Sequence, residues 1–166
     1  DVATGVDGDI YVVDTNNHRI QCFDAAGHFV MAWGGEGHRV GALKAPRGIA
    51  VSPDGSILVA DTGNHRLQRF APDGSLLAVW GQEGDADGAL RTPYDVAVAP
   101  DGTVLVADTG NRRVGRFSAD GVFLDTWETG SPGALTLQGP WSVAADLIGR
   151  VYVIETLPPC SSATLK

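Results

Sequence analysis

The chain has 166 residues, 43% of them hydrophobic and 19% charged, with 22 glycines and a formal net charge of −8. That balance argues against a generic nucleic-acid or anionic-membrane surface, and no apolar run approaches the ~18 residues of a membrane-spanning helix. Two cysteines, Cys22 and Cys160, build no disulfide framework and leave the compartment undetermined; the first residue is Asp1 rather than Met, so the chain reads as a processed product or a fragment.

In chain order the sequence repeats itself. Asp14, Asp61 and Asp108 recur at an interval of 47, and one further step reaches Glu155. Phe23, Phe70 and Phe117 keep that interval, as do Trp33, Trp80 and Trp127, and Pro46, Pro93 and Pro140. A fixed period of this size marks a repeat architecture. The copies run over 1–45 (with an incomplete start), 46–92, 93–139 and the first half of a fourth at 140–156; 157–166 does not repeat.

Each copy predicts four short strands. In the second they are Gly48 to Val51, Ile57 to Ala60, Arg66 to Phe70 and Leu76 to Trp80. Between them lie Pro53-Asp54-Gly55, an Asp61 to His65 loop in which Gly63 and Asn64 supply the tolerance for positive φ, and Pro72-Asp73-Gly74. Strands separated by such turns form an antiparallel meander. Their apolar residues come in runs rather than in alternation, so each sheet is expected to be buried on both faces. Four-stranded units of this length, packed face to face, make an all-β propeller, here with about three and a half blades. Open blade edges would then be prone to self-association.

The segments NHRIQCF (17–23), NHRLQRF (64–70) and NRRVGRF (111–117) resemble the NHL repeat. The flanking PRGIAVSPDG (46–55), GGEGHRVGALKAP (34–46) and GQEGDADGALRTP (81–93) do too. The resemblance implies a propeller that is most often six-bladed. It does not imply one function: the family includes RNA- and protein-binding domains of tripartite-motif proteins, sensor domains of bacterial kinases, and a metal-dependent lyase acting on peptidyl-hydroxyglycine. Two departures stand out: Glu128-Thr129-Gly130 replaces the Gly-x-Glu-Gly loop, and Glu155 replaces the repeated Asp, so altered loops are expected there.

The motifs favour structural roles. Asp14 with Arg19, Asp61 with Arg66 and Asp108 with Arg113 face each other across a hairpin loop and form a clamp. His18 and His65 hold the position that Arg112 fills in the third copy, so no metal site is expected from them. The Pro-Asp-Gly turns at 53–55, 72–74 and 100–102 spread their aspartates one per turn, which makes no calcium loop.

Positions that differ between copies are freer to serve a ligand. Directly after the repeated proline stand Arg47-Gly48, Tyr94-Asp95 and Trp141-Ser142. Opening the innermost strands, Arg47, Tyr94, Asp95, Trp141 and Ser142 are the candidate binding residues at the mouth of the central channel; Arg, Tyr and Trp are the types enriched at interaction hot spots. Asp1 and Asp95 would add acceptors for a cationic or hydroxyl-bearing group. The long loops Gly34 to Ala45 and Gly81 to Thr92, with His38, Arg39 and Lys44 on one and Glu83, Asp85 and Asp87 on the other, should emerge on the same face. The leading expectation is a non-catalytic module that binds a protein, peptide or glycan, with no catalytic residue, cofactor or metal assigned. The alternatives are a metal-dependent propeller lyase or lactonase and an RNA-binding domain, the last disfavoured by the net charge.

Overall fold

The computed structural model describes residues 1–127 and 137–155. The non-repeating tail, the Glu128-Thr129-Gly130 loop and Cys160 lie outside them. Three four-stranded antiparallel sheets and one two-stranded sheet follow one another along the chain, each a meander in sequence order. Blade 1 comprises β1 (Val2–Thr4), β2 (Ile10–Asp14), β3 (Arg19–Phe23) and β4 (Phe29–Gly34). Blade 2 comprises β5 (Ile49–Val51), β6 (Ile57–Asp61), β7 (Arg66–Phe70) and β8 (Leu76–Trp80). Blade 3 comprises β9 (Pro93–Val98), β10 (Val104–Asp108), β11 (Arg113–Phe117) and β12 (Phe123–Trp127), and the half blade holds β13 (Pro140–Ala145) and β14 (Val151–Glu155). The first strands of the blades, β1, β5, β9 and β13, stand side by side around a common axis.

Burial explains the apolar runs. Every residue of β6 and β10 is buried. Ile57 and Val59 pack on Tyr11, Val13, Ile20 and Cys22 of blade 1. Leu58 and Ala60, on the other face of the same strand, pack on Val96, Val104, Val106 and Phe117 of blade 3. A fully buried side chain of this kind contributes roughly 1.5–3 kcal/mol, so a strand with two dry faces carries nearly continuous apolar sequence. Leu105, Ala107 and Val114 repeat the arrangement against Val143 of the half blade.

The turns are tied by their own side chains. Gly55, Gly74 and Gly102 adopt φ of +83°, +80° and +84°, and Asp54, Asp73 and Asp101 each accept the backbone N–H two residues on. The loop after the repeated Asp departs from expectation. Its left-handed residue is neither Gly63 nor Asn64 but the residue after them: His18, His65 and Arg112 take φ of 56°, 55° and 56°. The three residues before each form a 3-10 turn whose first carbonyl receives the N–H of that left-handed residue.

Candidate functional site

Two sets of residues organise the end of the molecule where the long loops lie. One set holds the loops. Asp61 is fully buried and accepts from the Lys44 backbone N–H (2.7 Å), Asn64 Nδ2 (2.9 and 3.0 Å), Arg66 Nε (2.7 Å) and Gln68 Nε2 (2.9 Å). Asp108 likewise accepts from the Arg91 backbone N–H, Asn111 and Arg113. Burial pushes the Asp108 carboxyl above its ordinary value, while those three donors pull the other way.

The Arg and Asn partners reach further. Arg66 donates to the carbonyls of His38, Arg39 and Ala42, and Asn64 to that of Gly37. Arg113 donates to the carbonyls of Asp85, Ala86 and Ala89, and Asn111 to that of Gly84. The expected hairpin clamp is therefore present and also pins the loop arriving from the preceding blade. Glu155 keeps the same function with a longer arm, accepting the Gln138 backbone N–H at 2.8 Å.

The histidines are latches within that scaffold. His18 Nδ1 accepts the Ala45 N–H at 2.8 Å, and His65 Nδ1 accepts the Thr92 N–H at 3.0 Å. Each ring thus presents a lone pair on Nδ1. Ala45 and Thr92 are themselves held at φ of 43° and 44°. Where Arg112 replaces the histidine, the residue at the receiving position is Gly139 at φ 155°.

The second set lies at the inner ends of the blades. The structure brings Arg47, Tyr94 and Trp141, one from each of three successive blades, into a continuous stack. The Arg47 guanidinium carbon lies 4.4 Å from the centre of the Tyr94 ring. The Tyr94 and Trp141 rings meet edge-on, 4.6 Å apart at 63°. Arg47 is exposed, Tyr94 partly so, and Trp141 is 44% exposed.

Asp95 and Ser142 do something else. Asp95 accepts the Val96 N–H on one oxygen, and the Val143 N–H and the Ser142 hydroxyl on the other, at 2.8, 3.0 and 2.6 Å. Asp1 does the same for Val2 and Ile49. These carboxylates join inner strands of adjacent blades, so the sequence-based role of free acceptors does not describe them. Gly48 occupies the equivalent position in blade 2, where a Cβ would stand 2.5 Å from the Asp95 Cα. Nothing in the residue types alone signals this arrangement; the signal is the alternation Asp1, Gly48, Asp95, Ser142 at one repeat position. Among the described residues no group of three or more His, Cys, Asp or Glu side chains is placed to hold a metal ion.

Known proteins share this architecture. A family model described as the NHL repeat matches residues 1–23, 43–70 and 90–117. Protein brain tumor of Drosophila melanogaster is 48% identical over 50 residues, which is 30% of this chain and 5% of that protein. Virginiamycin B lyase from Staphylococcus aureus is similar in structure at a TM-score of 0.69 and 19% identity, over 93% of this chain and 47% of that one. The WD40 β-propeller domain of Doa1 is similar at 0.67 and 16% identity, over 92% and 46%. The chain thus spans about half the length of these solved structures, and at such identities the likeness is one of fold. Each matched segment runs from a first strand through the Asp-Asn-Arg clamp to the third strand, so the chain carries three matches to the NHL repeat on a β-propeller architecture.

Proposed function

We propose that this chain is a non-catalytic interaction module that binds a protein or peptide segment across the inner ends of blades 2 to 4. The observation that carries the reading is the Arg47–Tyr94–Trp141 stack. These are the residues that differ between otherwise matching repeats, they reach solvent, and they form one contiguous aromatic and cationic surface. Their burial adds little to the core, because Trp141 remains 44% exposed. Rigid aromatic side chains present large contact area at low entropic cost. The clamped loops beside them supply fixed walls, which limits the ordering that binding would otherwise require.

The test is selection from a random peptide-display library on the immobilised chain, with counter-selection on Trp141→Ala. Peptides that bind the parent chain and lose binding to Trp141→Ala support the reading. A library that yields no Trp141-dependent binder overturns it.

A further inference from the structure

We propose that the ligand taken at the loop end is an acidic peptide segment, with a ligand carboxylate on the Arg47 guanidinium and an apolar or aromatic neighbour against Trp141. The assignment rests on the stack being the binding surface and adds to it the charge of what binds.

The argument starts from how charge is sorted between the two ends of the blades. At the Pro-Asp-Gly end every described arginine has a carboxylate partner. Arg69 meets Asp54 at 2.6 Å, Arg116 meets Asp125 at 2.9 Å and Arg150 meets Asp146 at 2.6 Å. At the loop end, Arg19, Arg66 and Arg113 belong to the clamps. Arg39, Lys44, Arg47, Arg91 and Arg112 form no ion pair among the described residues. The cations left over therefore share one face, although the chain as a whole carries −8.

Two of these cations are placed by the backbone beneath them. A Cβ on Gly63 would stand 2.8 Å from Lys44 Cγ, and a Cβ on Gly110 would stand 2.6 Å from Arg91 Cγ. The glycines thus clear a path along which these stems lie. The Arg47 guanidinium carbon lies over the Tyr94 ring, and the exposed side chain carries the planar fork of donors that a carboxylate can accept from in pairs. Asp95, which follows Tyr94 in the chain, already accepts two backbone N–H groups and a hydroxyl.

A peptide fits better than a nucleic acid. The parts of the loops farther from the axis carry exposed Glu36, Glu83, Asp85 and Asp87. A continuous phosphate backbone leaving the axis would run into them. A segment with a few acidic residues and neutral or basic flanks would not.

The experiment measures the affinity of the Trp141-dependent peptides for the parent chain, for Arg47→Gln and for Arg116→Gln as a control on the opposite end. Selected peptides rich in Asp or Glu, weakened about tenfold or more by Arg47→Gln and unchanged by Arg116→Gln, bear the proposal out. Trp141-dependent peptides that are neutral or basic overturn the carboxylate assignment and leave the stack as a binding surface. Failure to obtain any Trp141-dependent peptide removes both. Single-stranded polyuridylate that binds through Arg47 and displaces the selected peptides overturns the proposal in favour of a nucleic acid.

Discussion

Replacing Asp61 by asparagine tests whether the repeated aspartate holds neighbouring blades together. Its carboxylate is fully buried and accepts five hydrogen bonds from four residues. Arg66, its charged partner, has a side chain only 11% exposed. Asparagine keeps the shape but turns one oxygen into a donor that faces donors, and it leaves a nearly buried guanidinium uncompensated. Removing one member of a buried pair costs about 3–5 kcal/mol, a large part of the roughly 5–15 kcal/mol that stabilises a typical domain. The same change at Asp14 is the internal control. That pair is more exposed, at 44% for Arg19 and 19% for Asp14, and no loop N–H reaches Asp14 among the described residues. Equilibrium urea unfolding should show a clearly larger loss for Asp61→Asn, and hydrogen exchange should show the Lys44 amide released. Should Asp61→Asn prevent folding, Arg66→Lys keeps the charge but loses the fork to the His38, Arg39 and Ala42 carbonyls, and faster exchange over 37–43 is then expected. Equal losses at Asp14 and Asp61, or unchanged exchange at Lys44, would refute the reasoning.

Gly48→Ala should destabilise by about 1–3 kcal/mol, the usual range for overpacking, because the atoms it meets are the Asp95 Cα at 2.5 Å and the Tyr94 carbonyl at 2.9 Å; a neutral result in thermal unfolding would mean the inner strands can part without cost. His65→Arg should cost about 1 kcal/mol for the lost Nδ1 acceptor, and less in a Thr92→Gly background that imitates the Arg112 and Gly139 pairing; an additive double-mutant cycle would contradict the latch. Stability should also fall in acid. Arg19 holds Asp14, the His28 backbone N–H holds Asp24, the Ser56 hydroxyl holds Asp54, the Ser75 hydroxyl holds Asp73, the Thr103 backbone N–H holds Asp101 and Arg150 holds Asp146 below the ordinary 3.8. The unfolded chain takes up these protons first, so their contribution is complete above pH 3.8 and is lost as pH falls through the lower folded values. Asp108 runs the other way, its raised carboxyl favouring the fold as pH drops through its folded value. Unfolding midpoints that rise continuously below pH 4 would show that the turn carboxylates carry no such linkage.

The repeat, its turns and its third and fourth strands were legible because they depend on local chemistry and on a period visible in one dimension. Arg66–Phe70 and Leu76–Trp80 fall where the sequence places them. The left-handed residue was misplaced because Gly63 and Asn64 are the usual carriers of positive φ. That conformation falls instead on His65, whose ring meets the N–H of Thr92, 27 residues away on the next loop. Such contacts become readable only once blades are stacked. The same holds for Asp95, one of whose oxygens reaches the Val143 N–H on the inner strand of the adjacent blade. Arg47, Tyr94 and Trp141 could be picked out as variable, but their mutual stacking is a fact of three dimensions.

The carboxylates at the inner strands constrain the order of the blades. Asp1 serves blades 1 and 2, and Asp95 serves blade 3 and the half blade, while Gly48 between them keeps clear. Each acid thus closes one seam, and the seam between blades 2 and 3 carries no acid, because Gly48 holds that position. Removing the second repeat from this row would set Asp1 beside Asp95 and oppose two negative charges at a single junction. Gly48 thus keeps the two acids one blade apart, and loss of that blade would call for a neutral residue at one of them.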